Sequence, residues 1–429
     1  MTVNKNPKLI RGGRILDPAS SRDGSFDLLI QSGQIARIDS QITPPPGTEI
    51  IEAAGFLVVP GLVDIHTHLR EPGHEYKETI LTGSKAAAAG GFTSLACMAN
   101  TDPPNDNPAV TKFIRERAQE AGLVNIYPVG AISKGLQGES LAEIGSLVEA
   151  GIVAVSDDGN PVMNSGLMRQ ALEYTQIFGI PVISHCEDLG LSRGGQVNEG
   201  LASLRTGLAG VPAEAEAAMV VRDLLLARLT GGKLHLAHIS TALAVEAIRA
   251  AKAQGVQVTA ETAPHYFTLT EAAVLTFNTN AKVNPPLRSA ADREAVRNGL
   301  RDGTIDCIAS DHAPHSLVEK DLEFIQASSG IIGLETTLPL TLKLVHEGIL
   351  SLTQAITLLS INPARILNLK KGSLAIGAEA DLTVIDPGRE YTVDPGKFFS
   401  RSRNTAFPGL QLKGRAVITL ARGEIIFRE

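Results

Sequence analysis

The stretch DIHTHLREPG at residues 64–73 directly follows the apolar run of residues 56–63. Such a run is typical of a buried strand. Side chains two apart in a strand face the same way, so His66 and His68 are expected to project together from its carboxyl end. Two imidazoles at this spacing can hold one metal ion. Arg70 continues the same face with a planar fork of donors suited to an anion. An isolated His-x-His is more often a pair of surface histidines. Whether this pair binds a metal therefore depends on which residues end the other predicted strands.

Residues 56–366 alternate strand-like apolar runs with stretches rich in Ala, Leu and Glu, a pattern typical of a parallel sheet covered by helices. Eight strands are predicted, at Leu57–His66, Phe92–Asn100, Val124–Ile132, Ile152–Asp158, Pro181–His185, Lys233–His238, Val256–Thr262 and Ile305–Asp311. Helices are predicted at Thr79–Ala89, Ala109–Ala121, Gly166–Phe178, Ala213–Leu229, Ala242–Ala253, Ala291–Arg301, Leu334–Leu344 and Leu352–Leu358. Eight such units predict an α/β fold, a (β/α)₈ TIM barrel. A doubly wound open sheet is the alternative, but no G-x-G-x-x-G follows the first strand.

The two ends of the chain differ from this middle, because they consist of short apolar or alternating runs between turn residues. Neither end alone has enough strands to bury a core. Residues 1–55 and 367–429 are therefore predicted to form one composite, small β-sandwich domain, beside a catalytic barrel domain at residues 56–366.

Composition narrows the class of protein. A net charge of −7 and a pI near 5.9 argue against a nucleic-acid binder, since no basic excess exists to neutralise phosphates. No apolar run reaches the length of a membrane span, and the first residues lack the apolar core of a signal peptide. Cys97, Cys186 and Cys307 are odd in number and widely spaced, so we interpret them as buried thiols. A cytoplasmic protein is expected.

Polar side chains follow most of the predicted strands, at the barrel end where active sites lie. They are His66 and His68 after strand one, Asn100 after strand two, Asp157 and Asp158 after strand four, His185 after strand five, His238 after strand six, and Asp311 and His315 after strand eight. Four histidines and two or more carboxylates would lie close together at the carboxyl end of the barrel, which we call its mouth. Such a set suits zinc and suffices for two ions bridged by a carboxylate.

The other histidines are interpreted as structural. His235 and His312 would face away from the mouth by strand alternation. His74, His265 and His346 are expected to be ordinary residues, at the surface or hydrogen-bonded locally. No G-x-x-x-x-G-K-[ST] is present, so a nucleotide enzyme lacks support.

The stretch at residues 64–73, together with ASDHAPH at residues 309–315, resembles dihydroorotase in its bacterial type I form, within the amidohydrolase superfamily. The likeness covers nearly the whole chain, and both motifs are far more specific than a lone His-x-His. It implies reversible cyclisation of N-carbamoyl-L-aspartate to L-dihydroorotate and water in de novo pyrimidine (UMP) biosynthesis. It also implies a barrel with a side β-sandwich and zinc, with two ions expected per subunit.

The resemblance implies roles for individual residues. The ligands of the first zinc match His66, His68 and Asp311, and those of the second match His185 and His238. The bridging carboxylate matches Asp158 rather than Asp157, and only one of the two is expected to be a ligand because adjacent strand residues face opposite ways. The residues that match the substrate-binding set are His68, Arg70, Asn100, Asn284, His315, Ser329 and Gly330. Relatives more often carry an aromatic residue where this chain has Ser329.

We hypothesise that metal-activated water attacks the ring carbonyl while Asp311 exchanges the proton as general base and then acid. One alternative is another cyclic amidohydrolase (dihydropyrimidinase, hydantoinase or allantoinase), against which Arg70 and the carboxylate at Asp158 argue. A second alternative is a non-catalytic dihydroorotase-like subunit that supports aspartate transcarbamoylase, which would be expected to lose metal ligands. A homodimer and a complex with that enzyme are the expected assemblies. Residues 314–330 are polar enough to form a mobile lid.

Overall fold

A computed structural model describes residues 6–429 of the chain, and its centre is a nearly closed barrel of eight parallel strands. The barrel strands are Leu62–Thr67, Phe92–Cys97, Asn125–Gly130, Ala154–Ser156, Val182–Ser184, Leu234–Leu236, Val258–Thr262 and Cys307–Ile308. They neighbour one another in chain order, and a parallel bridge between Thr67 and His312 joins the first strand to the residues after the eighth. The prediction of a (β/α)₈ barrel is confirmed. Each strand lies inside its predicted range except the first, which ends one residue beyond it, at Thr67.

The first predicted strand is wrong in one respect, because the structure divides Leu57–His66 between two sheets. Leu57–Pro60 pairs with Lys8–Asp17 and with Leu382–Thr392, and the barrel begins only at Leu62. The change of sheet falls at Gly61, where a Cβ would lie 2.2 Å from the Thr93 hydroxyl oxygen. Both halves are buried, so the apolar run carries no sign of the break. The predicted domain boundary after residue 55 therefore assigns this strand to the wrong sheet, and the pairing favours a boundary after Pro60.

The chain ends form one eight-stranded sheet, as the prediction of a composite β domain required. Its strands are Lys8–Asp17, Arg22–Gln31, Gln34–Asp39, Glu49–Glu52, Leu57–Pro60, Leu382–Thr392, Gln411–Ala421 and Glu424–Arg428. Leucine, isoleucine and valine side chains from both ends, such as Ile15, Leu28 and Val384, pack together in a core of their own. This shared core explains why neither end alone would bury enough apolar surface.

Helices cover the barrel strands. Their bounds are Ile80–Gly90, Pro108–Ala121, Ile144–Ala150, Ser165–Thr175, Leu189–Ser192, Leu201–Thr206, Ala213–Thr230, Ala242–Ala253, Pro264–Thr268, Ala290–Asp302, Leu317–Lys320, Thr337–His346, Leu352–Leu359 and Ile361–Ile366. Side-chain caps at Thr79, Asn107 and Ser289 accept from free backbone N–H groups and explain where three of them begin. Within residues 6–429, no helix combines the length and apolarity needed to cross a membrane.

The C-terminal segment leaves its own sheet between Thr392 and Gln411 and returns to the barrel mouth. There the backbone N–H of Ile332 donates to the carbonyl of Asn404 (2.9 Å), and the Ser402 hydroxyl donates to the carbonyl of Lys77 (2.7 Å). Residues 367–429 therefore supply part of the mouth as well as the side domain. The sequence prediction did not include this contribution.

Candidate active site

A cavity of about 250 Å³ opens at the carboxyl ends of the barrel strands. It is lined by His68, Arg70, Asn100, Asp158, Gly159, His185, His238, Asn284, Asp311, Ala313, His315, Ser329 and Gly330. All of the predicted substrate-binding residues are in this lining. The lining also contains all of the predicted metal ligands except His66. The His66 side chain is fully buried and faces Asp158 and Asp311.

His66 and His68 face the same pair of carboxylates, as their spacing in the sequence predicted. The His66 Nε2 lies 3.4 Å from an Asp158 oxygen and 3.6 Å from an Asp311 oxygen. The His68 Nε2 lies 3.5 Å from the other Asp158 oxygen and 3.4 Å from the same Asp311 oxygen. One imidazole pair therefore converges with Asp311 on a common point.

His185 and His238 form a second pair on the other side of Asp158. The His185 Nδ1 and the His238 Nε2 lie 3.5 Å and 3.4 Å from Asp158 Oδ1, and 2.8 Å from each other. The Asp158 carboxylate thus stands between the two histidine pairs, with Oδ1 facing His66, His185 and His238 and Oδ2 facing His68.

Asp157 points away from this cluster. Its carboxylate accepts from the backbone N–H groups of Ile132 (2.7 Å) and Ser133 (3.0 Å) and from the Ser133 hydroxyl. These bonds fix the loop after the third barrel strand. Of the two adjacent carboxylates, the geometry brings only Asp158 to the histidines.

The ring orientation of three histidines is set by acceptors outside the cluster. The His66 Nδ1 is hydrogen-bonded to Glu261, the His68 Nδ1 to the Asn100 side-chain oxygen (2.9 Å), and the His185 Nε2 to Glu187 (2.9 Å). Because a carboxylate or amide oxygen only accepts, the N–H of each neutral ring lies on that outer nitrogen. The other nitrogen then turns its lone pair towards the cluster.

The cluster fits divalent metal ions. The buried His66 Nε2 and Asp158 Oδ1 have no hydrogen-bond partner. The potential ligand atoms of His66, His68 and Asp311, and those of His66, Asp158 and His238, lie within 4.8 Å of one another. Imidazole nitrogens and carboxylate oxygens are the donors that zinc prefers when water or substrate completes its coordination. Buried lone pairs without a donor are costly, so a cation between them is the natural counterpart.

The charges of the site favour a cation as well. Burial alone would raise the pKa of Asp158, but His66, His185 and His238 outweigh it and hold that pKa well below its usual value. Burial likewise opposes ionisation of Asp311, while His68 and His66 lower its pKa. For His185, burial lowers the pKa, but Asp158 and Glu187 raise it to about 9. Both carboxylates are therefore ionised at neutral pH.

Three residues of the site have backbone conformations that are unusual for non-glycine residues. The φ angles of Arg70, His238 and Asp311 are 61°, 36° and 46°. Such positions cost about 1–3 kcal/mol each and persist where the surroundings over-determine them. Each follows a barrel strand directly or closely, so the turn redirects its side chain into the mouth.

The Arg70 guanidinium is available to a ligand. Its Nε donates to the carbonyl of Pro314 (3.2 Å), whereas its two terminal nitrogens have no hydrogen-bond partner among residues 6–429. Burial lowers its pKa, an effect that the carboxylates of Asp311 and Glu319 oppose. A half-buried cation with two free donors is the arrangement that binds a carboxylate in bidentate fashion.

The other predicted substrate-binding residues are held by protein contacts around the cavity. Asn284 donates to Glu187 (2.9 Å), and Asn100 donates to the backbone oxygen of Asp158 (3.3 Å). The His315 Nε2 donates to the carbonyl of Ser329 (2.8 Å), and burial lowers the pKa of His315 to about 3. The neutral His315 ring thus uses its N–H inside the protein, and its buried Nδ1 has no hydrogen-bond partner, although it lies 3.8 Å from a Glu319 carboxylate oxygen.

Two carboxylates that sequence reasoning did not identify support the cluster. Glu261 lies inside the seventh strand, and Glu187 follows His185 by two residues. Burial would raise the pKa of each, but the neighbouring histidines lower it to about 2. Glu187 could have been found, because its position two residues after His185 matches the strand period. Glu261 carries no such signal.

The remaining histidines fall into two groups. His235 is hydrogen-bonded to Thr259 (2.8 Å) and Glu261 (3.1 Å), and His312 to Glu78 (3.2 Å), so both are structural as predicted. The interpretation of His265 as a surface or locally bonded residue is wrong. His265 is buried, its Nε2 has no hydrogen-bond partner, and that atom lies 4.0 Å from an Asp311 oxygen.

Residues 314–330 have several fixed contacts. The Lys77 ammonium pairs with Glu319 (2.7 Å), and the Lys282 ammonium donates to the carbonyls of Phe324 (2.7 Å) and Ile325 (3.0 Å). Leu317 and Val318 are exposed between these contacts. The mobile lid therefore stays a prediction, and its movement would have to break buried hydrogen bonds.

Known proteins show which family has this architecture. A protein named Dihydroorotase from Syntrophus aciditrophicus is 56% identical over 98% of this chain and 99% of its own length. Another of the same name, from Geobacter metallireducens, is 53% identical over 98% of this chain and 99% of its own. The chain belongs to the dihydroorotase family. A family described as dihydro-orotase-like matches residues 55–243 of it, and one described as an amidohydrolase family matches residues 229–427.

Solved structures show the same fold at lower identity. The L-hydantoinase (dihydropyrimidinase) from Arthrobacter aurescens is 26% identical to this member of the dihydroorotase family and superposes with a TM-score of 0.88, covering 99% of this chain and 96% of its own. The dihydropyrimidinase from Brevibacillus agri superposes with a TM-score of 0.86 at 24% identity, over 98% and 95%. The fold of this chain is thus shared with proteins that carry the names hydantoinase and dihydropyrimidinase.

Proposed function

We propose that this chain catalyses the reversible cyclisation of N-carbamoyl-L-aspartate to L-dihydroorotate and water in pyrimidine biosynthesis. One observation carries the proposal: His68, His185 and His238 in the lining of one cavity, with the buried His66 next to them, surround two ionised carboxylates, and the terminal nitrogens of Arg70 have no hydrogen-bond partner among residues 6–429. Cyclic amide hydrolysis requires the first feature, and a substrate with a free carboxylate requires the second. Relatives above 50% identity carry the name of this activity.

Two zinc ions per subunit are proposed as the cofactor. His66, His68 and Asp311 would hold one ion, His185 and His238 would hold the other, and Asp158 would lie between them. Zinc at such positions supplies an acidified water and polarises a carbonyl oxygen. The full ligand set argues against a non-catalytic role that only supports aspartate transcarbamoylase.

Asp311 is proposed to move the proton. Its lowered pKa leaves it ionised at neutral pH, so it can accept a proton from the attacking water. The same carboxylic acid then delivers the proton to the ring nitrogen as the amide bond breaks. In the direction of ring closure, Asp311 first removes the proton from the carbamoyl nitrogen and returns it to the departing water.

The substrate carboxylate is proposed to bind between Arg70, Asn100 and His315, and the His315 contact requires Nδ1 to take up a proton when the carboxylate binds, because Nε2 already donates to Ser329. Arg70 supplies the charge, and the amide of Asn100 is held in place by His68 and the Asp158 backbone. Asn284 and the backbone at Ser329 and Gly330 would contact the ring. These contacts select an anionic ring over neutral cyclic amides, because an unpaired buried guanidinium is costly when the carboxylate is missing.

The substrate comparison tests the proposal. We expect the purified protein to hydrolyse L-dihydroorotate and to turn over dihydrouracil, hydantoin and allantoin at least about a hundredfold more slowly, since removing one partner of a buried ion pair costs about 3–5 kcal/mol. Arg70→Gln should abolish most of that preference, whereas Arg169→Gln, at an exposed helix position, should leave it intact. Equal turnover of the neutral rings would contradict the proposal.

The cytoplasmic location, the homodimer and the complex with aspartate transcarbamoylase also stay proposals for this chain. They rest on the resemblance and on the charge of the sequence. Light scattering of the purified protein, alone and mixed with aspartate transcarbamoylase, would measure both assemblies directly.

A further inference from the structure

One wall of the cavity is formed by residues 313–330, which include the short helix Leu317–Lys320 and which we name the loop wall. It includes His315, Ser329 and Gly330, all of which line the cavity. The order of this loop matters to any ligand, because the proposed contacts at Ser329 and Gly330 are made by backbone atoms. Such a backbone contact depends on the hydrogen bonds that hold the backbone of the loop wall in place.

One buried ammonium is enclosed by this loop. Lys320 is 4% exposed, and its Nζ donates to the carbonyls of Ser328 (2.7 Å) and Gly330 (3.0 Å), with the Lys282 carbonyl at 3.5 Å. Among residues 6–429 its ammonium has hydrogen bonds to backbone carbonyls only. Burying a charge without a carboxylate partner costs free energy, and burying an apolar side chain at this position would cost less. The buried position of Lys320 therefore indicates that a strong hydrogen-bond donor to these carbonyls stabilises the loop wall.

One buried amide from a distant part of the chain meets the same loop. Asn404 is 4% exposed, and its Nδ2 donates to the carbonyls of Ala313 (3.1 Å) and Gly330 (3.1 Å). Its Oδ1 accepts from the backbone N–H of His315 (3.1 Å). Asn404 thus joins the beginning of the loop wall to its end, through all three hydrogen bonds that its side chain makes.

The two donors converge on Gly330. Its carbonyl accepts from both Lys320 and Asn404, and its φ of 133° is accessible to glycine but strained for other residues. A Cβ at this position would lie 2.8 Å from the Ala313 Cβ and 3.1 Å from the His315 Nε2. The backbone at residue 330 is therefore packed directly against a ring that faces the ligand.

We infer that Lys320 and Asn404 are positioning residues that act together through the Gly330 carbonyl to hold the loop wall in its ligand-binding geometry. This inference rests on the proposed function for its kinetic test. Neither side chain lies in the cavity lining, so their effect on a ligand passes through His315, Ser329 and Gly330. The metal cluster is supported by separate residues and should not depend on them.

The test is a double-mutant cycle with Lys320→Met, Asn404→Ala and the double variant. Each single variant should raise KM for L-dihydroorotate about tenfold, because Lys320→Met removes the donor to the Ser328 carbonyl and Asn404→Ala removes the donor to the Ala313 carbonyl, while kcat and bound metal change less than about twofold. The double variant should raise KM by more than the product of the two single effects, because the Gly330 carbonyl keeps one donor in each single variant and loses both only in the double variant. Lys397→Met, at an 82% exposed side chain, and Asn160→Ala, at an exposed position, are matched controls.

Hydrogen exchange provides a second readout that needs no substrate. Amides of residues 313–330 should exchange faster in both single variants, while those of the barrel strands stay at the wild-type rate. Unchanged KM in an active enzyme, or unchanged exchange in this loop, would overturn the inference. If the wild-type protein lacks activity on L-dihydroorotate, the proposed function fails instead, and the exchange data alone test whether Lys320 and Asn404 position the loop wall.

Discussion

The two sides of the cavity are built in different ways. The metal-facing floor, which we define as His66, His68, Asp158, His185, His238 and Asp311, takes each side chain from the end of a barrel strand or the turn after it. The loop wall takes its shape from Lys320 within it and from Asn404, which is 74 residues beyond Gly330. Local geometry positions the floor, whereas contacts between distant segments position the wall.

We expect this difference to separate turnover from substrate affinity. Changes in the floor should remove metal and turnover, and changes in the wall should alter substrate affinity while the metal remains. The following variants test that separation, beginning with the largest expected effect.

Asp311→Asn should lower kcat by about 10²–10⁴-fold, because the variant cannot accept or return the proton. Steady-state hydrolysis of L-dihydroorotate measures the change. Asp302→Asn, at a partly exposed carboxylate at the end of a helix, is the control and should keep nearly full turnover. An Asp311→Asn variant with more than about a tenth of wild-type kcat would be incompatible with this role.

Asp158→Asn and Asp157→Asn form a matched pair of neighbours. Asp158→Asn should lose metal and at least about a hundredfold in activity, since even partners of metal ligands cost 10–100-fold. Asp157→Asn should keep its metal content and lose about 1–3 kcal/mol of stability, because its amide nitrogen cannot accept from the Ser133 hydroxyl, although its oxygen can still accept from the N–H groups of Ile132 and Ser133. Elemental analysis and thermal denaturation distinguish the two. Equal metal content in both variants would refute the bridging position of Asp158.

Glu261→Gln should weaken metal binding by about 10–100-fold while the fold is kept, because the variant can present an N–H donor to the His66 Nδ1. Competition with a chelator measures the affinity. Glu294→Gln, at an exposed carboxylate, should behave as wild type. Unaltered metal affinity in Glu261→Gln would show that His66 needs no outer acceptor.

Lys320→Met should have the smallest effect, on the pH dependence of stability. Burial and the nearby charge of Lys282 lower the pKa of Lys320 from 10.5 to about 7. Between these values the unfolded chain binds the additional proton, so the Lys320 contribution to stability rises as pH increases through this window. The melting temperature of wild type relative to Lys320→Met should therefore increase by about 2–4 °C from neutral pH to about pH 9. A constant or falling difference would contradict the lowered pKa.

The floor could be predicted from the sequence because strand alternation and the carboxyl ends of parallel strands are local rules. They brought His66, His68, His185, His238 and Asp311 to one place, and the choice of Asp158 over Asp157 came from the family resemblance, with strand alternation allowing only one of the two. The barrel and the pairing of the chain ends followed from periodicity and from the number of strands. The division of Leu57–His66 did not, since burial continues through Pro60 and Gly61 without a change in pattern.

The wall could not be predicted in the same way. Nothing in the sequence around Asn404 indicates that its segment crosses back to the barrel, and Lys320 lies in a polar stretch that suggested a mobile surface loop. Glu261 sits inside an otherwise ordinary strand, and His265 differs from a surface histidine only in its surroundings. Each of these roles arises from tertiary packing, which the one-dimensional pattern does not encode.

The central claim is that the six residues of the floor hold divalent metal ions on which turnover depends. The most direct measurement is hydrolysis of L-dihydroorotate by the purified protein before and after chelation, with elemental analysis of wild type and His185→Ala alongside. We predict loss of activity on chelation, recovery when zinc is restored, and a lower metal content with little activity in His185→Ala. Full turnover by metal-free protein, or by His185→Ala, would contradict the account.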